Sequence, residues 1–292
     1  VHFEVIHAEE CARRHPLIAT ENRTGALWDP LDGDIDPAQL CKALARRARK
    51  AGAEIHRHTP VTGSRQLADN TWVVETPKGE IAADIVVNAC GYRVNEVGAM
   101  MGGHHPVMSM GQRYFVAAAI AAIRAAGHRM PLLRCAITYS VDGAALVGPI
   151  PGTRNAFCII ALRAGLGEGG GHGWLLAQMI AHGGACHDTW PLDPRRFTGH
   201  GNTGLCALKA IEEYRKEFRF EFPHEHREAG RPIKTTLLTP VLAAEGAAFA
   251  VVTGWERLDY VKPAPDFGEA HSFRFTAVEA VVGEEVRRCT QA

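Results

Sequence analysis

A glycine-rich run, AGLGEGGGHGW at residues 164–174, is the segment whose composition points most directly to ligand chemistry. It stands before an apolar stretch, so it predicts a loop followed by a helix from about Gly173 to His182, ended by Gly183 and Gly184. Such a loop offers backbone N–H groups and the positive end of a helix dipole, which suit a phosphate or another electron-rich group. A tight turn or close packing would explain the glycines equally well. The run does not match the P-loop pattern GxxxxGK followed by Ser or Thr.

A second segment whose residues could contact a ligand is IVVNACGY at residues 85–92. Its Ile85-Val86-Val87 run is apolar without alternation, which predicts a strand covered on both faces. The small residues that follow, from Asn88 to Gly91, form the exit from that strand. Ligands of open α/β sheets gather at such strand ends.

The other reactive side chains match no known pattern of metal ligands or catalytic residues. The fifteen histidines include the close pairs His104/His105, His56/His58 and His224/His226, the last with Glu225 between its members, but no HExxH or comparable ligand spacing is present. We therefore predict no metal site. There is no GxSxG motif, and Cys90 beside Gly91 is more simply a small packing residue than a nucleophile.

The surrounding elements must position these two segments. Asp36 followed by Pro37 predicts a capped helix that stops at Gly52. Residues 54–61 and 71–77 are then expected as strands, with a Lys78-Gly79 turn leading into the IVVNACGY segment. This succession of helix and strands indicates α/β organisation.

The second half of the chain is less regular. A unit at residues 104–138 includes the strand candidate YFVAAAI (114–120), although residues 117–122 could equally belong to a helix. Turn, strand, glycine-rich loop and helix follow, and a charged helical stretch is expected at residues 206–217.

Composition excludes several classes of partner. The chain of 292 residues is 46% apolar, and 32 basic residues balance 32 acidic ones, so no overall field favours nucleic acid or an anionic membrane. The longest apolar run, at residues 115–123, falls short of the roughly 20 residues that a membrane-spanning helix needs, which predicts no membrane insertion. The eight cysteines are scattered without a CxxC pair, which predicts a reducing, cytoplasmic compartment. A small-molecule substrate fits these properties best.

The context of the two segments carries a family resemblance. VVNACGYRVNEVG resembles the strand-end motif of the D-amino-acid-oxidase-like flavoproteins, and further blocks occur in the order seen in dimethylglycine and sarcosine dehydrogenases. These blocks include WDPLDGDIDPAQL, DGAALVGPIPG, WPLDPRRF, FPHEHREAGRP and TGWERLDYVKP. The resemblance implies a mixed α/β (α+β) chain with a partial FAD-binding three-layer fold, a truncated antiparallel substrate domain and a C-terminal linker region. Implied domains are a D-amino-acid-oxidase-like region at 1–188, an oxidoreductase central region at 189–250, and the start of an aminomethyltransferase-like domain at 251–292.

The resemblance also implies roles for particular residues. The backbone at Val61 would meet the adenine of FAD. Residues expected to line the dinucleotide are Ala89, Gly91 and Arg93, and those expected to approach the isoalloxazine are Gly165, Leu166, Gly167, Glu168 and Gly169. Tyr114 is the candidate for positioning the substrate, an N-methylated amine such as dimethylglycine or sarcosine; a core or interface tyrosine is the alternative. Tetrahydrofolate would be used only in a longer parent protein, and the electron acceptor is left open.

Three departures from the family pattern bear on activity. The amino-terminal GxGxxG turn that in this family holds the FAD pyrophosphate is absent, since the chain begins after its expected position. MPLLR and CAITYS (130–140) abut where relatives carry several dozen residues of substrate domain. Gln112-Arg113-Tyr114 stands where relatives have a histidine-containing triplet, and glutamine cannot serve as a general base. We therefore expect little turnover by this chain alone; the alternative is a non-catalytic remnant or interaction domain without bound flavin.

Overall fold

A computed structural model describes residues 3–16, 18–33, 35–115, 132–217, 219, 221–252, 254–268 and 271–291, with backbone only at 112–115 and 132–135. The chain divides into two compact units, residues 1–58 and 59–292. Helices and strands are mixed in both units, which confirms the predicted mixed α/β class.

The first unit contains a strand pair and two helices. Its elements are β1 (Glu4–His7), α1 (Ala8–Arg14), β2 (Gly25–Trp28) and α2 (Pro37–Lys50), and β1 pairs antiparallel with β2. The predicted capping of α2 is confirmed, because Asp36 Oδ1 accepts the N–H groups of Ala38 and Gln39 at 2.7 and 3.1 Å. Gly52 follows the helix with φ +93°.

The second unit holds the remaining elements. Its strands are β3 (Gly63–Gln66), β4 (Trp72–Thr76), β5 (Gly79–Ala83), β6 (Val86–Asn88), β7 (Val107–Phe115), β8 (Leu132–Ser140), β9 (Leu146–Pro149), β10 (Ala156–Ile160), β11 (Ala247–Val252) and β12 (Trp255–Val261). Its helices are α3 (Val94–Met100), α4 (Gly165–His182), α5 (Thr203–Lys216), α6 (Thr239–Ala244) and α7 (Ala277–Gln291). No helix in the described ranges has the length and apolarity needed to span a bilayer.

Strands β3, β4 and β5 form an antiparallel sheet in that order, and the predicted turn at Lys78 and Gly79 is confirmed as the β4–β5 connection. The strand predicted at residues 54–61 is wrong. That segment is irregular, and β3 begins only at Gly63. His58 has φ +53°, which breaks an extended backbone, and Pro60 offers no N–H to a neighbouring strand.

Strands β6, β10 and β9 form a second sheet in that order, with β10 parallel to β6 and antiparallel to β9. Leu146 and Cys158, both fully buried, belong to the main apolar core. The expectation that residues 85–87 are covered on both faces is wrong, because Ile85 and Val87 are 38% and 42% exposed. In the described sheet β6 is an edge strand, paired only with β10.

Strands β7 and β8 pair antiparallel along nine residues each. The junction of Arg134 and Cys135, where relatives were expected to carry extra residues, lies inside β8. Tyr114 and Phe115 end β7, so the predicted strand YFVAAAI begins as a strand, while residues 116–131, including the alternative helix, lie outside the described residues.

Helix α4 begins eight residues earlier than predicted, at Gly165 and not near Gly173, so the glycine-rich run is helical and not a loop. The N–H of Glu168 donates to Ala164 O at 2.8 Å and closes the first turn. Glycine disfavours helix by about 1 kcal/mol relative to alanine, which is why local propensity predicted a loop. The predicted end is confirmed: Gly183 follows the helix with φ +73°.

The charged helix predicted at residues 206–217 is confirmed as α5, although it begins earlier, where Asn202 Oδ1 accepts the N–H of Leu205 at 2.9 Å. Strands β11 and β12 form an antiparallel pair. Buried Phe197 and Cys206 join the core that contains β9 and β10, so this region packs with the sheet that carries the two segments.

Candidate functional site

The parallel pairing of β6 and β10 brings the two predicted segments to one place. Asn88 at the end of β6 is the register partner of Cys158 in β10. Because parallel strands have their carboxyl ends at the same edge, the turn after β6 and the chain leaving β10 emerge together. We call residues 89–93 and 165–169 the carboxyl-edge site; it contains every predicted cofactor residue except Val61.

The first part of the carboxyl-edge site is an exposed turn on a buried anchor. Ala89, Gly91 and Arg93 are exposed, whereas Asn88 is only 1% exposed. Asn88 Nδ2 donates to Val94 O at 2.9 Å, and Asn88 Oδ1 accepts the N–H of Cys90 at 3.3 Å. Gly91 has φ +54° with no atom near its missing Cβ, so the turn favours glycine for its backbone conformation and not for lack of space. The turn therefore exposes its backbone to solvent while the buried Asn88 side chain fixes its conformation.

A buried histidine completes that anchor. His105 is fully buried, and its Nε2 lies 3.2 Å from Asn88 Nδ2. Its backbone N–H donates to Asn95 Oδ1 at 2.9 Å. Burial, with a smaller contribution from the neighbouring His104, lowers the pKa of His105 to about 4, so the imidazole is neutral near pH 7.

The second part of the carboxyl-edge site is the N-terminal turn of α4. Among the described residues no side chain caps this helix, and the N–H groups of Gly165, Leu166 and Gly167 have no intrahelical acceptors because they lie in its first turn. A Cβ atom added at Gly165, Gly167 or Gly169 would meet nothing within 4 Å, so the surface is open. Free N–H groups and the helix dipole suit an electron-rich ligand, although Glu168 adds a negative charge in the same turn.

Two polar side chains of the turn have limited roles. Arg93 pairs with Glu96 at 2.6 Å in an exposed ion pair, so contact with a dinucleotide would require it to share its guanidinium. Desolvation by the surrounding protein raises the pKa of the Cys90 thiol, although the residue is exposed, and this disfavours a thiolate nucleophile.

In the sequence, Val61 and Tyr114 lie outside the two ranges that form the carboxyl-edge site. Half-buried Val61 stands two residues before β3. Tyr114 pairs with Leu133 between β7 and β8, and its side chain is outside the described part of the structure. Their adenine-contacting and substrate-positioning roles therefore stay predictions.

The Asn88–His105 anchor was not predicted from the sequence. His105 attracted attention only as half of a possible metal pair, yet His104 is exposed and His105 is buried. The available signal was the polar Asn88 that ends an apolar strand, because a buried amide must find partners.

The pair His224 and His226 is joined by Asp259 and not, as the sequence suggested, by Glu225. His224 Nδ1 and His226 Nε2 both approach Asp259 Oδ2, at 3.0 and 3.2 Å, while Glu225 pairs with Lys216 and Arg219. Although burial favours the neutral acid, hydrogen bonds from the two histidines lower the pKa of Asp259. Among the described residues no cluster of three or more His, Cys, Asp and Glu side chains could hold a metal ion.

Comparison with known proteins defines the class. The profile of the family described as FAD dependent oxidoreductase matches residues 1–154, and that of the FAD dependent oxidoreductase central domain matches residues 182–236. The first match covers more than half of the chain. The chain therefore belongs to the FAD dependent oxidoreductase family.

Particular relatives narrow the resemblance. The chain is 28% identical to human mitochondrial dimethylglycine dehydrogenase over 98% of its length, and 27% identical to mouse mitochondrial sarcosine dehydrogenase over 90%. It is also 23% identical, over 99% of its length, to the mouse mitochondrial pyruvate dehydrogenase phosphatase regulatory subunit. The matches cover 42%, 37% and 42% of these proteins, so the chain spans about two fifths of their length. The predicted resemblance to dimethylglycine and sarcosine dehydrogenases is confirmed.

Solved structures agree on the fold. L-proline dehydrogenase from P. horikoshii matches with a TM-score of 0.55 at 19% identity, covering 67% of this chain and 68% of that one. Glycine oxidase from Geobacillus kaustophilus matches with a TM-score of 0.53 at 20% identity, covering 66% of each chain. These likenesses confirm a partial FAD-dependent oxidoreductase fold.

Proposed function

We propose that this chain binds FAD at the carboxyl-edge site, and that its parent protein oxidises the C–N bond of an N-methylated amine such as dimethylglycine or sarcosine. The observation that carries the proposal is the parallel register of β6 and β10, which gathers the exposed turn and the uncapped helix terminus at one sheet edge. The residues there fit the cofactor, since they offer N–H groups without intrahelical acceptors and an open glycine surface, although the Glu168 carboxylate lies in the same turn.

Each part of the site has a distinct role in this proposal. The turn at Ala89 to Arg93 lines the dinucleotide with its backbone, while Val61 meets the adenine. The N–H groups of Gly165 to Gly167 stabilise negative charge on the bound group through the dipole of α4. FAD, when bound, supplies the hydride-accepting chemistry, and the chain supplies binding and orientation. Tyr114 orients the amine, and Gln112, two residues earlier in the sequence, cannot take a proton.

The wider proposal follows the relatives. Tetrahydrofolate-linked one-carbon transfer would belong to a longer parent protein, and the domain boundaries at 188 and 250 are carried forward as proposals. The cytoplasmic location predicted from the cysteines is also carried forward as a proposal. The dehydrogenase relatives above differ in this respect, since they are named as mitochondrial proteins.

A second candidate function is a non-catalytic chain that keeps the fold without flavin. The observation in its favour is the match to a protein named as a regulatory subunit over 99% of this chain. This candidate predicts a folded chain with neither bound flavin nor amine oxidation.

Titration of the purified chain with FAD, followed by visible absorbance and flavin fluorescence, separates the two candidates. Gly167→Asp is the site variant, because it adds a second carboxylate beside Glu168 in the first turn of α4, which increases the repulsion of an electron-rich ligand while it complements the helix dipole. Gly283→Asp is the matched control, since Gly283 also lies in a helix with open space around its missing Cβ. We expect saturable binding that Gly167→Asp weakens about tenfold and Gly283→Asp leaves unchanged.

The outcomes decide between the candidates. A folded chain that binds no FAD would overturn the cofactor proposal and favour the non-catalytic one. If FAD binds, addition of dimethylglycine or sarcosine without oxygen should bleach the flavin absorbance when the chain is competent. Binding without bleaching would restrict the proposal for this chain to cofactor binding.

A further inference from the structure

We propose that His105, as a neutral imidazole protonated on Nδ1, is a positioning residue that fixes the turn of the carboxyl-edge site through Asn88. The inference deepens the proposed function and rests on it for the identity of the bound group. Its structural part, which concerns how the turn is held, can be tested without a cofactor.

The orientation of the Asn88 amide follows from two backbone partners. Its nitrogen faces the carbonyl of Val94 at 2.9 Å, and its oxygen faces the N–H of Cys90 at 3.3 Å. A flipped amide would set oxygen against oxygen at Val94 and donor against donor at Cys90. The amide is therefore fixed with Nδ2 towards His105.

The protonation state of His105 follows from that orientation. The second hydrogen of Asn88 Nδ2 points to His105 Nε2 across 3.2 Å, so Nε2 must accept and cannot carry a hydrogen. The proton of the neutral ring then lies on Nδ1, a buried atom with no hydrogen-bond partner in the described structure. A protonated ring would place two donors face to face in a buried position.

Two further contacts hold His105 in place, one at its backbone and one at its ring. Asn95 Oδ1 accepts the backbone N–H of His105 at 2.9 Å. A Cβ at Gly98 would stand 2.9 Å from His105 Cδ2, so the backbone of α3 packs directly against the ring. The ring links α3 to the Asn88 amide, and the amide orients the N–H of Cys90.

This arrangement has a consequence for the ligand surface. Ala89, Gly91 and Arg93 are exposed and have no buried side chain of their own to hold them. Their backbone geometry depends on Asn88, whose amide is satisfied only while Nε2 accepts. Loss of the acceptor leaves a buried N–H unpaired and allows the turn to rearrange.

A matched pair of substitutions tests the role. His105→Leu keeps a similar volume but removes the acceptor, whereas His105→Gln offers an amide oxygen in its place. The control is His104→Leu, at the exposed neighbouring position. We expect His105→Leu to raise the Kd for FAD about tenfold, His105→Gln to stay within about threefold of the unaltered protein, and His104→Leu to have no effect.

Two cofactor-free measurements keep the inference separate from the proposed function. Imidazole 15N NMR of the unaltered protein should show His105 neutral and protonated on Nδ1, and hydrogen exchange at the Cys90 amide should accelerate in His105→Leu but not in His105→Gln. If the unaltered protein binds no FAD, the proposed function falls while these two results still decide the positioning role. A ring protonated on Nε2, or equal Cys90 exchange and equal FAD affinity in the two variants, would overturn it. Should His105→Leu fail to fold, the NMR result decides.

Discussion

Asn88 and Cys158 stand opposite each other in the parallel pair of β6 and β10, and both are buried. One residue belongs to the segment at 85–92, and the other lies in the strand that leads into the glycine-rich helix. Their register is what joins two sequence motifs into one site. Burial raises the pKa of the Cys158 thiol to about 12, so its role is packing and not chemistry.

A tryptophan ties the neighbouring sheet to this pair of strands. Trp72 of β4 is 2% exposed, and its Nε1 donates to Arg154 O, just before β10, at 2.9 Å. We expect Trp72→Phe to lower the free energy of unfolding by about 1–3 kcal/mol, through the lost hydrogen bond and the volume removed. Urea denaturation measures the change. Trp190→Phe, at a half-exposed tryptophan, is the control and should stay within about 0.5 kcal/mol; equal effects in the two variants would contradict the tie.

Local signals predicted the elements that local interactions determine. The Asp36 cap, the turn at Lys78 and Gly79 and the stop at Gly183 each depend on neighbours in sequence, and each was confirmed. The strand at residues 54–61 failed because β propensity says nothing about whether a partner strand is available.

The parts of the site that depend on residues far apart in sequence could not be predicted from local sequence patterns. The pairing of β6 with β10 joins segments that are far apart in sequence, and only the family resemblance suggested that they meet. The burial of His105 depends on α3 and Asn88, so its sequence neighbour His104 carries the same local signal in an exposed position. The edge position of β6 likewise cannot be told from an apolar run alone.

The neutral state of His105 makes stability depend on pH. Burial lowers its pKa from 6.5 to about 4, so between these values the unfolded chain binds a proton that the folded chain excludes. The free energy of unfolding therefore falls as the pH drops through this window, by on the order of 3 kcal/mol from this group, and is recovered above it.

Urea denaturation at several pH values checks this dependence. Other groups also titrate in the window, so the quantity to compare is the difference between the unaltered protein and His105→Gln. That difference should change between pH 4 and 6.5, whereas the difference for His104→Gln should change less, because His104 makes only the smaller contribution to the lowered pKa of His105. A flat difference for His105→Gln would mean that the imidazole titrates normally.

Residues 165–172 form the first turns of helix α4, where the glycines had predicted a loop. Gly170 is exposed, lies inside the helix and has open space around its missing Cβ, so Gly170→Ala should stabilise the protein by about 1 kcal/mol through helix propensity. Gly183, with φ +73°, adopts a conformation that alanine resists, and Gly183→Ala should destabilise by about 1 kcal/mol. Both lie outside the carboxyl-edge site, so the free energy of unfolding and the helical circular-dichroism signal measure the backbone alone. If Gly170→Ala lost stability as Gly183→Ala does, the glycine-rich run would be a loop, and its N–H groups would not be aligned by a helix.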